Sequence, residues 1–158
     1  MDLDRYRQEL CELGRYLGER GLAWGTSGNI SMRVDEDRFL ISASGAWLGQ
    51  ITPERTALCA IRQEESVGAK PSVETPMHRA IYRARPDAQV VVHVSPPYST
   101  LIACSSLSIP TDLNIENIFY IGRVTRVPSH NAQTHGSPVQ LRHSSPRSAT
   151  YRSFACAS

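Results

Sequence analysis

Three short segments of the 158-residue chain set polar or acidic groups beside small residues, in patterns that could hold an anion and move a proton. Gly25-Thr26-Ser27-Gly28-Asn29 is a turn that leads into an alternating segment. It can aim backbone N–H groups and the Asn29 amide at an anion, or simply reverse the chain. Ser42-Ala43-Ser44-Gly45 allows the same two readings, because small residues after a strand can surround phosphate oxygens or end the strand. In Lys70-Pro71-Ser72-Val73-Glu74 a hydroxyl and a carboxylate stand at a helix start, where free N–H groups and the helix dipole favour negative charge. Ser72 is there an N-cap or a phosphate ligand, and Glu74 is a carboxylate able to take a proton from a bound substrate or to reach a metal. His93 closes an apolar run. An imidazole in that place binds metal through one nitrogen while a hydrogen bond fixes the other, or serves as a satisfied structural residue. His78, four residues after Glu74 among packing residues, reads as a local hydrogen-bonding partner outside the site.

The elements that must position these groups follow from periodicity. Leu3, Tyr6, Leu10, Leu13 and Leu17 recur at helical spacing and predict an amphipathic helix ending near Gly21. Asn29 to Val34 alternates as a strand and returns through Asp35-Glu36-Asp37 into Phe39-Leu40-Ile41-Ser42, a hairpin. Thr52-Pro53-Glu54 reads as a turn or short helical start, Thr56 to Ile61 as a strand, and residues 62–70 as a polar surface loop. A helix begins near Ser72, with Pro76 in its first turn and Met77, Ala80, Ile81 and Ala84 as its buried face; Arg85-Pro86-Asp87 stops it. Gln89 to His93 reads as a buried strand, Ser99 to Ser105 as a helix, and Phe119-Tyr120-Ile121 and Arg123 to Val127 as two short strands about Gly122.

With 41% hydrophobic side chains the chain can build one compact core, and its formal net charge of +2 is too small to indicate a nucleic-acid or membrane surface. The start is charged and no segment reaches the roughly 20 apolar residues of a membrane span, so the expected location is cytoplasmic. Cys11, Cys59, Cys104 and Cys156 form no C-x-x-C pair, which argues against a disulfide framework or cysteine zinc site; the first three read as core fillers.

Taken together, Gly25 through Ser31, Ser44-Gly45, Lys70 through Glu74, and Tyr82-Arg83-Ala84-Arg85-Pro86-Asp87-Ala88 through His93 to Tyr98 resemble the class II aldolase/adducin family in order and spacing, over residues 5 to about 128. The resemblance implies an α/β fold of three α/β/α layers around a largely antiparallel sheet. It also implies a homotetramer with sites between subunits and a divalent metal, most often zinc. Residue by residue, Gly28, Asn29, Ser44, Gly45 and Ser72 fall on phosphate-binding positions, Glu74 on the acid/base position that can also meet the metal, and His93 on the first metal histidine. The implied activity is metal-dependent carbon–carbon lyase chemistry, such as aldol cleavage, on a small phosphorylated sugar or sugar acid. The alternative within the family is a noncatalytic, adducin-like binding or assembly domain.

Departures from the family pattern bear on the metal half of that site. Ser95 stands where a second histidine is common, and Val73 where a further serine often binds phosphate. Thr134-His135-Gly136 comes too soon after His93, with no strand before it, to match the family's later Asn-His-Gly turn. Residues 129–158 are rich in Ser, His and Arg, and no acidic residue follows Glu116. Arg supplies 16 of the 17 basic residues, as a GC-rich gene would. The expectation is an incomplete family domain over residues 1–128, followed by an aberrant, poorly ordered tail from a frame broken near residue 131, with catalysis impaired. An intact subfamily that recruits His130 or His135 as a ligand is the remaining alternative.

Overall fold

The computed structural model describes residues 2–107, Pro110, Ile115 and the backbone of Val124–Arg126 and Arg152–Phe154. The chain divides into two compact units, residues 1–96 and 97–158. The expected strand at Phe119-Tyr120-Ile121, His130, His135, Cys156 and the body of the expected tail lie outside the described residues.

In the first unit, helix α1 (Leu3–Glu19) is capped by Asp2, whose carboxylate accepts from the Arg5 N–H, and buries Leu10, Cys11, Gly14 and Leu17. Strands β1 (Asn29–Arg33), β2 (Arg38–Ser42), β3 (Thr56–Ala60), β4 (Ser66–Gly68) and β5 (Val90–His93) form one antiparallel sheet in the order β4-β3-β2-β1-β5. Helix α2 (Thr75–Ala84) connects the β4 edge to β5. Two short 3-10 turns, Leu48–Gln50 and Pro53–Arg55, join β2 to β3.

Alternation along the strands separates two cores. Ile30, Met32, Leu40 and Leu58 pack with α1, Leu48 and Ile51, whereas Phe39, Ile41, Ala57, Cys59 and Val91 pack on the opposite face with Tyr82 of α2. The unit is therefore a three-layer α/β/α arrangement. Gly14 lets α1 close on the first 3-10 turn, since a Cβ there would stand 2.6 Å from the Leu48 carbonyl oxygen.

Four local expectations change. Residues 62–70 contain β4, which pairs Leu58 with Val67; its three residues are all exposed, so no apolar alternation marks it. Gln89–His93 is not fully buried: β5 is an edge strand of this sheet, and Val90 and Val92 are 39% and 44% exposed on the face away from α2. The buried face of α2 is Thr75, His78, Arg79 and Tyr82, while Ala80 and Ala84 are exposed. Cys11 and Cys59 are core residues, but Cys104 is exposed.

In the second unit, Pro97 opens helix α3 (Pro97–Ala103), and β6 (Val124–Arg126) pairs in parallel with β7 (Arg152–Phe154). Among the described residues no helix is long and apolar enough to cross a membrane.

Candidate functional site

Antiparallel pairing brings the start of β1, the end of β2 and the end of β5 to one end of the sheet, with Asn29 opposite His93 and Ser31 opposite Ile41. Three polar segments are tied together there. The Ile30 N–H donates to Ser42 Oγ at 3.2 Å, the Ser44 N–H to the Lys70 carbonyl at 2.9 Å, and the Ser72 N–H to the Ser42 carbonyl at 3.2 Å. An isolated bridge between Ala43 and Pro71 reinforces the second contact. Segments distant in sequence thus form one small-residue rim.

Each anticipated anion-binding residue has a definite place on it. Gly28 adopts φ +98°, and a Cβ would lie 2.8 Å from the His93 carbonyl oxygen, so only glycine lets the turn close on β5. Asn29 and Ser72 are buried, Ser44 is half-buried, and Gly45 is exposed with φ +66°. Ser72 is not the N-cap of α2, a position that Glu74 takes. Ser72 instead turns the chain into the helix: its Oγ accepts from the Glu74 N–H at 3.3 Å, and its carbonyl accepts from the Thr75 N–H at 3.1 Å. Glu74 is half-buried at the helix entrance, and its carboxylate makes no capping hydrogen bond.

Behind the rim runs a buried hydrogen-bonded chain. Tyr82 Oη lies 2.9 Å from Ser31 Oγ, and Ser31 Oγ lies 2.6 Å from His78 Nδ1. His78 Nε2 lies 2.5 Å from Asn29 Oδ1, and Asn29 Nδ2 lies 3.3 Å from His93 Nδ1. The amide oxygen can only accept, so His78 Nε2 carries a proton. Burial, and then the proximity of His93, push the His78 pKa down to about 3, so the ring is neutral and its Nδ1 accepts from the Ser31 hydroxyl. Tyr82 then donates to Ser31. Burial raises the Tyr82 pKa to about 12, against the smaller opposing effects of Ser31 and Arg33. Among the described residues no buried side-chain polar atom lacks a partner.

Arginines hold this arrangement in register. Arg33 lies 4.7 Å over the Tyr82 ring and donates to the carbonyls of Tyr82, Arg85 and Ala88, tying β1 to the end of α2. Arg79 donates to the Ala60 carbonyl and Arg83 to those of Ile61 and Arg62, tying α2 to the end of β3. Phe39 meets Tyr82 at 5.0 Å between ring centroids.

Two alternations identify the members that the motif reading left out. Period two sets Asn29, Ser31 and Arg33 on one face of β1, and a four-residue step sets Glu74, His78 and Tyr82 along one side of α2. His78 is indeed a hydrogen-bonding partner, but its partners are on β1 rather than within its own helix. A groove of about 370 Å³ beside Trp24, Gly25 and Trp47 contains none of Ser72, Glu74 or His93, so it is separate from this rim.

Among the described residues, Glu74 and His93 do not by themselves complete a catalytic divalent-metal site. Such a site takes about three protein ligands, and among the described residues no group of three His, Cys, Asp or Glu side chains could hold an ion. Ser95 is half-buried two residues beyond His93 and offers only a neutral hydroxyl. The Asn29 amide also donates to His93 Nδ1, so in this arrangement the ring proton is on Nε2 and a metal there would have to displace it.

Comparison with known proteins agrees with this architecture. A 3-oxo-tetronate 4-phosphate decarboxylase of Haemophilus influenzae is 31% identical over 153 residues, covering 96% of this chain and 72% of its own. A methylthioribulose-1-phosphate dehydratase of Methylococcus capsulatus is 41% identical over 95 residues, or 60% of this chain and 47% of its own. The crystal structure of L-fuculose-1-phosphate aldolase from Thermus thermophilus superposes with a TM-score of 0.62 at 32% identity, covering 74% of this chain and 57% of that one. The chain thus spans about half the length of the last two and nearly three quarters of the first. The family model for the class II aldolase and adducin N-terminal domain matches residues 8–149, past the end of the recognisable motifs. By that match, and by a fold whose polar segments meet at one sheet end, the chain belongs to the class II aldolase and adducin family.

Proposed function

We propose that the convergent rim binds the phosphate of a small phosphorylated sugar or sugar acid, and that Glu74 moves a proton during lyase-type carbonyl chemistry on it. The substrate names of the three relatives share one unit, a ketone whose neighbouring carbon carries the phosphate. Aldol cleavage, decarboxylation and dehydration beside such a ketone each develop enediolate or enolate charge, so one anion-tolerant site serves all three. The carrying observation is the convergence of Asn29, Ser44 and Ser72 through the bonds from Ile30, Ser44 and Ser72 to the segments beside them.

In this reading Gly28, Asn29, Ser44, Gly45 and Ser72 surround the phosphate, and Glu74, held at the helix entrance with its carboxylate free of capping, exchanges the proton. No step is assigned to a divalent metal such as zinc, because Glu74 and His93 lack a third partner among the described residues. A cytoplasmic homo-oligomer, with sites shared between subunits, belongs to the same proposal.

The test is calorimetric titration of the purified chain with dihydroxyacetone phosphate, a three-carbon molecule carrying that unit, followed by product analysis with sugar phosphates. Binding that disappears in Ser72→Ala supports the reading, and a parent chain that ignores phosphate esters overturns it. The adducin-like reading is favoured by Ser95 and by the lack of a ligand triad among the described residues. It predicts binding without turnover, even with zinc added.

A further inference from the structure

The buried chain of side chains behind the rim is longer than phosphate binding requires. Asn29 alone would suffice to donate to an anion, yet Tyr82, Ser31 and His78 are lined up behind it and are 0–1% exposed. The proposed reaction leaves all three without a task.

We propose that His78, backed by Ser31 and Tyr82, is a positioning residue that fixes the Asn29 amide with Nδ2 toward His93, so that Asn29 and His93 offer a bound group N–H donors only. The proposal extends the phosphate-binding reading, although the ring geometry can be tested without it.

The argument is a count of protons. In the direction described, Tyr82 donates to Ser31, Ser31 to His78 Nδ1, His78 Nε2 to Asn29 Oδ1, and Asn29 Nδ2 to His93 Nδ1. Every donor has an acceptor. Rotating the amide by half a turn would set Nδ2 against His78 Nε2 and Oδ1 against His93 Nδ1. Both rings would then have to move their protons, and Ser31 would have to donate to Tyr82. The Tyr82 proton would then be left in the interior with no acceptor among the described residues, since Ser31 is its hydroxyl's one hydrogen-bond partner there. An interior donor without an acceptor is disfavoured, so the wire runs one way.

The consequence reaches the rim. With Oδ1 committed to His78, Asn29 has its second Nδ2 hydrogen to give, and His93 has its Nε2–H. Both groups reward an acceptor such as a phosphate, carboxylate or enediolate oxygen. Neither offers an acceptor to a neutral hydroxyl. Specificity for an anionic group is then set by a histidine that does not touch it.

The experiment uses the whole chain labelled with 15N-histidine. Multiple-bond proton–nitrogen NMR reads the tautomers of His78 and His93, and inorganic phosphate is titrated in parallel into the parent, His78→Leu, His78→Gln and Tyr82→Phe. In the parent both rings carry the proton on Nε2. In His78→Leu the His93 ring becomes a tautomer mixture, and the phosphate Kd rises about fivefold, the effect of one ordinary hydrogen bond. His78→Gln, whose amide N–H can replace the imidazole N–H on Asn29, restores the His93 tautomer. In Tyr82→Phe the described direction still gives every donor an acceptor, whereas the reversed one leaves the Ser31 hydroxyl proton with none, so both rings keep the parent tautomers. A parent His93 protonated on Nδ1, an unchanged His93 in His78→Leu, or Tyr82→Phe rings that change tautomer would overturn the proposal. The rings decide positioning even if the parent does not bind phosphate, a result that would count against the proposed function alone.

Discussion

Replacing His78 with glutamine should remove most of one specific pH dependence of stability. The folded His78 has its pKa pushed from 6.5 down to about 3, first by burial and then by His93, whereas in the unfolded chain it titrates near 6.5. Below pH 6.5 the unfolded state therefore binds a proton that the folded state refuses. This stabilisation is complete above pH 6.5 and is lost as pH falls from there toward 3. The loss approaches about 1.4 kcal/mol per pH unit, which amounts to about 2 kcal/mol between pH 8 and pH 5. Glutamine does not titrate and can still donate to Asn29 Oδ1, so His78→Gln should show little of this fall. It should also be about 1–2 kcal/mol less stable at pH 8, because the Ser31 hydroxyl loses its acceptor. Urea unfolding followed by Trp24 and Trp47 fluorescence, at half-unit steps from pH 8 to pH 5, measures both effects. Asp35 and Asp87 are held below the usual carboxylate range by hydrogen bonds from Arg38 and Arg85, but they lose their contribution at lower pH and equally in both proteins. Parallel curves for parent and variant would show that His78 is not buried and neutral, and the reasoning would fail at its first step.

Three other substitutions probe separate parts of the arrangement. Gly28→Ala should cost about 1–3 kcal/mol in thermal or urea unfolding, because it combines φ +98° with a 2.8 Å approach to the His93 carbonyl. Arg33→Met removes donors to three carbonyls and the cation over Tyr82; a loss of about 2–4 kcal/mol by denaturation is expected, with a loss under 0.5 kcal/mol counting against the clamp. Glu74→Gln should abolish any turnover while leaving phosphate affinity by calorimetry within about threefold, since the carboxylate supports neither the helix cap nor the anion rim.

The sheet and helices were legible wherever burial imposed a period. The α1 stripe is written in Leu and Tyr because one face of the helix is against a core, and the β1–β2 hairpin in Ile, Met, Phe and Leu because its two faces meet two cores. β4 was not legible: Ser66, Val67 and Gly68 are all exposed, so the pairing that orders them leaves no hydropathy trace. The face of α2 was misread because Met77, Ala80, Ile81 and Ala84 look like its core side. The sheet instead receives Thr75, His78, Arg79 and Tyr82, and the polar atoms of the last three are satisfied by partners far away in sequence. For the same reason the motifs located the rim but not the chain behind it. Asn29, Ser72 and His93 stand in recognisable turns and strand ends, whereas Ser31 and Tyr82 acquire their role from strand pairing and helix docking.

The polar face of α2 also bears on where Glu74 stands. An aliphatic helix face can slide or rotate on a sheet at small cost, because dispersion and apolar burial have little directionality. Hydrogen bonds have direction, and here they act at both ends of the helix. Near its start, His78 meets Asn29 and Ser31; in its middle and last turns, Arg79 and Arg83 reach β3 while Arg33 grips the carbonyls of Tyr82 and Arg85. Rotation of α2 by one residue would break the first set, and translation by half a turn would break the second. The entrance of the helix, and with it Glu74, is thereby fixed against the rim that carries Asn29, Ser44 and Ser72. A proton-transfer group must be held to within a fraction of an ångström of its substrate to be effective. The buried polar contacts of α2 supply that constraint, which an apolar face of equal area would not.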